Sequence, residues 1–103
     1  MMFPKLFSAY AHVGTDDDFQ AWCRKQPCAF TGATYGVVYA HYRTAANSGI
    51  GMKPKYSGLP MTQSLHALQH QHGHDAVAPR EEWERLVKLH LERWAKEVAM
   101  SEE

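Results

Sequence analysis

Apolar and polar positions follow different periods along the chain, and each period predicts a different element. Thr15 followed by Asp16, Asp17 and Asp18 reads as an N-cap with carboxylates in the first turn, where they face the positive end of the helix dipole. Phe19, Trp22 and Cys23 then give a narrow apolar stripe, so a short helix is predicted over 16–25, ended by Pro27. Residues 1–13, aromatic and apolar without a period, read as an extended segment laid along the core. After a tight turn at 28–32, residues 35–42 are a β-branched and aromatic run that predicts a strand. Alternation puts Val37, Tyr39 and His41 on one of its faces and Val38, Ala40 and Tyr42 on the other.

Residues 43–58 break the pattern, being glycine-rich and cationic with no period, and a loop of that length in a small domain is uncommon unless it serves a function. Leu59, Pro60 and Met61 fit a short second strand or an extended lead-in to the next helix. That helix is predicted over 64–73, S-L-H-A-L-Q-H-Q-H-G, with Ser64 as its N-cap and Gly73 closing it. Leu65, Leu68 and His72 fall on one stripe, and His66 and His70 share another. Side chains four apart lie only about 40° out of line, so both imidazoles can meet one ion. A linker follows at 73–78, and Pro79 opens a long helix over 79–100, where Trp83, Leu86, Val87, His90, Leu91, Trp94 and Val98 recur at three and four. That helix covers the core, and His90 on its apolar stripe reads as a packed histidine.

Composition narrows the class. At 103 residues a single domain over 1–103 is expected, near the size where a metal or a second copy of the chain helps stability. No apolar run approaches the length needed to cross a bilayer, and 1–14 is interrupted by Pro4, Lys5 and His12, so a cytoplasmic protein without a membrane partner is expected. Cys23 and Cys28 match neither a redox nor a zinc-knuckle spacing and read as packing thiols.

Eleven basic and eleven acidic residues cancel, but their positions do not. Every carboxylate lies at Asp16 to Asp18 or from Asp75 onward, so the middle of the chain holds Arg24, Lys25, Arg43, Lys53, Lys55 and most of the histidines with no acid among them. A neutral protein can present a positive face if its acids are kept off it. A strand-end histidine, a one-turn histidine pair and a cationic loop together match the needs of phosphodiester hydrolysis. A metal on the pair stabilises charge on phosphate and leaving oxygen, and a separate neutral imidazole takes the proton from attacking water. Nitrogen ligands without nearby carboxylates suit Zn²⁺, Ni²⁺, Co²⁺ or Mn²⁺ better than Mg²⁺.

These residues resemble a family. H-Y-R-T-A-A-N-S-G-x-G-x-K-P from His41, L-P-M-T from Leu59 and H-x-x-x-H-Q-x-G from His66 look like a phage and prophage family of HNH-type, or ββα-metal, nucleases, with phage recombination nucleases as more distant kin. The resemblance covers 27–73, the expected core. It implies an α+β fold: a small ββα-metal, treble-clef-like core flanked by an N-terminal helix and the long C-terminal helix. It further implies that His41 stands at the general-base position, that His66 and His70 stand at the helix metal-ligand positions, and that Arg43, Lys53 and Lys55 face the DNA backbone. Asn47, His72 and His74 are auxiliary candidates, the two histidines read first as solvent-side residues.

The chain also departs from that pattern. Zinc-bearing relatives read P-C-x-x-C-G at the first turn and place two more ligands before the helix, where this chain has Cys28 with Thr31, then Thr62 and Leu65. A structural zinc therefore reads as lost, and the aromatic core and last helix must replace a contribution on the order of 10 kcal/mol. Many relatives carry paired histidines at the strand end, where this chain has Ala40 before His41, leaving two protein ligands with water or phosphate to complete the shell. Asn47 is early for the middle residue of the motif, and Lys55 lies near its expected place. Three readings follow: a metal-dependent DNA endonuclease in recombination or processing, a catalytically weakened DNA-binding module, or a metal-free interaction domain that packs against a second copy.

Overall fold

The computed structural model describes residues 9–43 and 54–101, which form an α+β fold with a two-stranded antiparallel sheet. Asn47 and Lys53, with most of the cationic loop, lie outside the described residues. The first helix, α1, spans Asp16–Arg24. It begins at Thr15 in a reciprocal capping box: Asp18 N–H donates to Thr15 Oγ1 at 3.1 Å, and Thr15 N–H donates to Asp18 Oδ2 at 2.9 Å. Those bonds favour the ionised carboxylate and hold the Asp18 carboxyl below its ordinary range. Phe19 and Cys23 face inward, as their spacing predicts.

Strand β1 (Val37–His41) pairs antiparallel with β2 (Gly58–Thr62), so the apolar 59–61 segment is a strand partner. The register sets Tyr39 opposite Pro60 and His41 opposite Gly58. β1 starts later than the 35–42 pattern predicts because Gly36, at φ 64, turns the chain just before it. Pro60 cannot donate to a ladder, yet its carbonyl accepts from Ala29 N–H at 2.9 Å, which fastens the 28–33 turn along β2. Tyr56 anchors the chain before β2: its N–H donates to Asp16 Oδ1 and its hydroxyl to Gly14 O, each at 2.7 Å.

Helix α2 spans Gln63–His72 and follows β2 without a loop. Its N-cap is Thr62, whose hydroxyl accepts from Leu65 N–H at 3.4 Å, so Ser64 lies inside the helix and is not its cap. The physical reason is that the last strand residue already has the extended backbone an N-cap needs, at φ −63 and ψ 154. Gly73, at φ 87, closes the helix and donates its N–H to Gln69 O at 2.7 Å. Residues His74–Ala76 form a 3-10 turn where a plain linker was expected, and Ala9–His12 form another where an extended segment was expected. In both, short backbone bonds take the place of side-chain periodicity, which a hydrophobic pattern does not encode.

Helix α3 spans Arg80–Ser101 and buries Trp83, Leu86, Val87, His90, Leu91 and Trp94, the stripe its sequence predicts. α1 and α3 pack on each other and on the sheet, while α2 packs on both strands. Phe19, Tyr39, Leu59, Met61, Val87 and Leu91 form the centre, and Trp94 tilts against Phe19 at 5.2 Å. Cys23 and Cys28 are buried free thiols. Burial pushes the Cys23 thiol up. Burial acts the same way on Cys28, but hydrogen bonds from the Thr31 side chain and from the backbone of Phe30, Thr62 and Thr31 more than offset it and hold that thiol below its ordinary value. Among the described residues no helix is long and apolar enough to cross a membrane.

Candidate functional site

Helix α2 buries no residue fully, so much of its surface is committed to something other than the core. One face carries Leu65, which packs against the core cluster. Another carries His66 and His70, whose Nε2 atoms stand 3.1 Å apart with ring centroids at 4.5 Å. Between them in sequence is Gln69, half-buried, whose Nε2 donates to the His41 carbonyl at 2.8 Å. That bond ties the helix to the last residue of β1 and fixes the separation of the histidine pair from the strand-end histidine. The Gln69 Oε1 acceptor is buried and has no partner among the described residues.

His41 reaches the same place from the sheet. Its ring meets Tyr39, two residues earlier on the same strand face, edge-on at 5.0 Å. The opposing residue, Gly58, lets the Tyr39 ring cross over it: a Cβ there would lie 2.5 Å from Tyr39 Oη and 2.6 Å from Ala40 O. His41, His66 and His70 line one cleft of about 490 Å³, together with Arg43, Gln69 and His74. Among the described residues its lining holds no carboxylate.

Burial, then the charge of His70, push the His66 imidazole below its ordinary value and favour the neutral ring. Neutral imidazole is the form that ligates a metal. Two nitrogens bonded to one ion at about 2.0–2.1 Å, with an angle between octahedral and tetrahedral, are roughly 2.8–3.4 Å apart, so the His66–His70 pair has a suitable bite. The same 3.1 Å also suits one neutral ring donating to the other. Among the described residues no group of three or more His, Cys, Asp or Glu is placed to hold an ion, so the rest of a shell on this pair would come from water or phosphate.

The other candidates divide. Arg43 lines the cleft; Lys55 is exposed and is not among the lining residues. His72 is exposed, as expected. His74 is not a solvent-side residue: its side chain is 22% exposed, lines the cleft and packs edge-on against Tyr42 at 5.1 Å. The 3-10 turn after Gly73 swings it back, and no periodicity signals such a turn. Gln69 and Tyr39 were not singled out from sequence as lining residues. Alternation put Tyr39 on the face of His41, but Gln69 carries no signal beyond its place beside His70.

Compared with protein-family profiles, with curated proteins and with solved structures, the chain matches none. The chemistry of the cleft therefore stands on its own residues: imidazoles, a guanidinium and an amide facing one space.

Proposed function

We propose that the protein is a metal-dependent endonuclease that hydrolyses DNA phosphodiester bonds, with β1, β2 and α2 as a ββα-metal unit of the HNH type carried by phages and prophages. The observation that carries the reading is one cleft lined by a strand-end histidine, a histidine pair of 3.1 Å bite and an arginine, with no carboxylate in its lining among the described residues. His66 and His70 would hold a divalent ion, Zn²⁺, Ni²⁺, Co²⁺ or Mn²⁺ in preference to Mg²⁺. When bound, that ion supplies positive charge to the scissile phosphate and the leaving oxygen. His41 accepts the proton of the attacking water, its ring steadied by Tyr39 and its backbone by Gln69. Arg43 pairs with a phosphate oxygen, and the cationic loop carrying Lys53 and Lys55 extends the grip along the backbone.

The test is nicking of supercoiled plasmid by purified protein with each ion in turn. His41→Ala and His70→Ala are each expected to lower the rate about 10²–10⁴-fold while leaving the fold intact by circular dichroism. Cutting by both variants at the native rate overturns the assignment. A second reading, a DNA-binding module that has lost efficient turnover, is favoured by one observation: among the described residues no third protein ligand stands with the pair. Salt-steep DNA binding with no cleavage in any ion selects that reading.

A further inference from the structure

Hydrolysis of a DNA phosphodiester needs a proton at each end of the displacement. His41 takes one from water, and the departing sugar oxygen, a poor leaving group as an alkoxide, needs one given to it. Among the described residues, the titratable side chains lining the cleft besides Arg43, which stays charged, are Tyr39, His41, His66, His70 and His74. Burial, first, raises the Tyr39 phenol well above its ordinary value, so it holds its proton too tightly to serve. His66 and His70 face each other, and His41 is already assigned. His74 is left.

Its surroundings fit that role. The ring sits edge-on against Tyr42 at 5.1 Å and Trp83 at 6.2 Å, interplanar angles of 83° and 86°. Its own carbonyl accepts from Trp83 Nε1 at 2.9 Å and from Val77 and Ala78 N–H at 3.1 and 3.2 Å, so backbone and ring are both held. Nε2 stands 3.2 Å from Asp75 Oδ1, so Nδ1 is the nitrogen of the ring that does not face this carboxylate. Asp75 is largely exposed, so it contributes orientation of the ring more than binding energy.

We propose that His74 is the general acid of the cleft, delivering the Nδ1 proton to the leaving oxygen of the scissile phosphodiester. The inference rests on the endonuclease reading above. In the step, the water oxygen bonds to phosphorus and its proton passes to His41. The bond from phosphorus to the sugar oxygen breaks with its electron pair on that oxygen, and the His74 proton joins it to give a hydroxyl. His41 leaves protonated and His74 neutral, and exchange with solvent restores both.

The experiment compares two substrates. Bis(p-nitrophenyl) phosphate releases a stabilised anion that needs no proton, whereas DNA releases an alkoxide. His74→Phe keeps an aromatic ring against Tyr42 and Trp83 and removes the proton; His74→Ala is the second variant, and thermal melting checks that each is folded. DNA cleavage by His74→Phe is expected to fall about 10²–10⁴-fold, with bis(p-nitrophenyl) phosphate cleavage and DNA affinity within roughly threefold of the native protein. Equal losses on both substrates, or native DNA cleavage by either folded variant, overturn the role and leave the endonuclease reading standing. A native protein that cleaves the activated ester but not DNA overturns the endonuclease reading and the role with it. Cleavage of neither substrate in any of the ions overturns both.

Discussion

At the scale of single residues, the histidines show how environment divides one side chain into different jobs. His90 is buried on α3 with Nδ1 2.8 Å from Leu86 O, an arrangement that puts the proton of the neutral ring on Nδ1. Burial pushes its basicity down, the Leu86 carbonyl opposes that, and Arg93 adds to it. The folded state thus protonates His90 at lower pH than the unfolded chain, whose histidine titrates near 6.5. Stability from the neutral ring is complete above that value and is lost as pH falls below it, because the unfolded chain takes the proton first. His66, also shifted down, adds in the same direction. Asp18 and Glu82 are held below their ordinary values and stay ionised above about pH 5, so they do not contribute in this window. The midpoint of urea unfolding is expected to drop from pH 7 to pH 5, and the drop to be shallower in His90→Leu. An identical drop in that variant would remove His90 from the account.

At the scale of elements, the site depends on how β1, β2 and α2 meet. Gly58 is the tightest point, because the Tyr39 ring lies where its side chain would be. Gly58→Ala forces that ring off its neighbour and disturbs the edge-on contact with His41. A loss of about 1–3 kcal/mol is expected from such overpacking, with cleavage falling alongside. Chemical denaturation measures the first part, and a change within about 0.5 kcal/mol would show that the ring has room to move. Helices α1 and α3 were legible from period alone, since each buries the stripe its sequence spaces out, and β1 from its β-branched and aromatic run; for 59–61 the sequence left a strand and an extended lead-in open, and pairing with β1 decides for the strand. The start of α2 was not legible. Thr62 and Ser64 are both good caps, and only pairing of Thr62 with Val37 at the end of the sheet selects the first.

At the scale of the whole molecule, a net charge of zero conceals a cleft whose lining, among the described residues, is free of acids. If about five phosphates are contacted, the logarithm of DNA affinity should fall with log salt at a slope near −4 to −5. Replacing Arg43 with alanine should lessen that slope by about one, as loss of a single phosphate contact would. Fluorescence anisotropy across a salt series measures both, and a flat response would exclude either DNA reading.

The chain by itself determined its α+β character, the partners buried by the long last helix and the one-turn spacing of His66 and His70, because these follow from local periods of two and 3.6 residues. Only the tertiary structure decided that His41 and the pair share a cleft, that Gln69 joins them and that His74 turns inward. Those relations depend on how a sheet edge, a helix and a short 3-10 turn are placed in space, and contacts between residues distant in sequence leave no period to read.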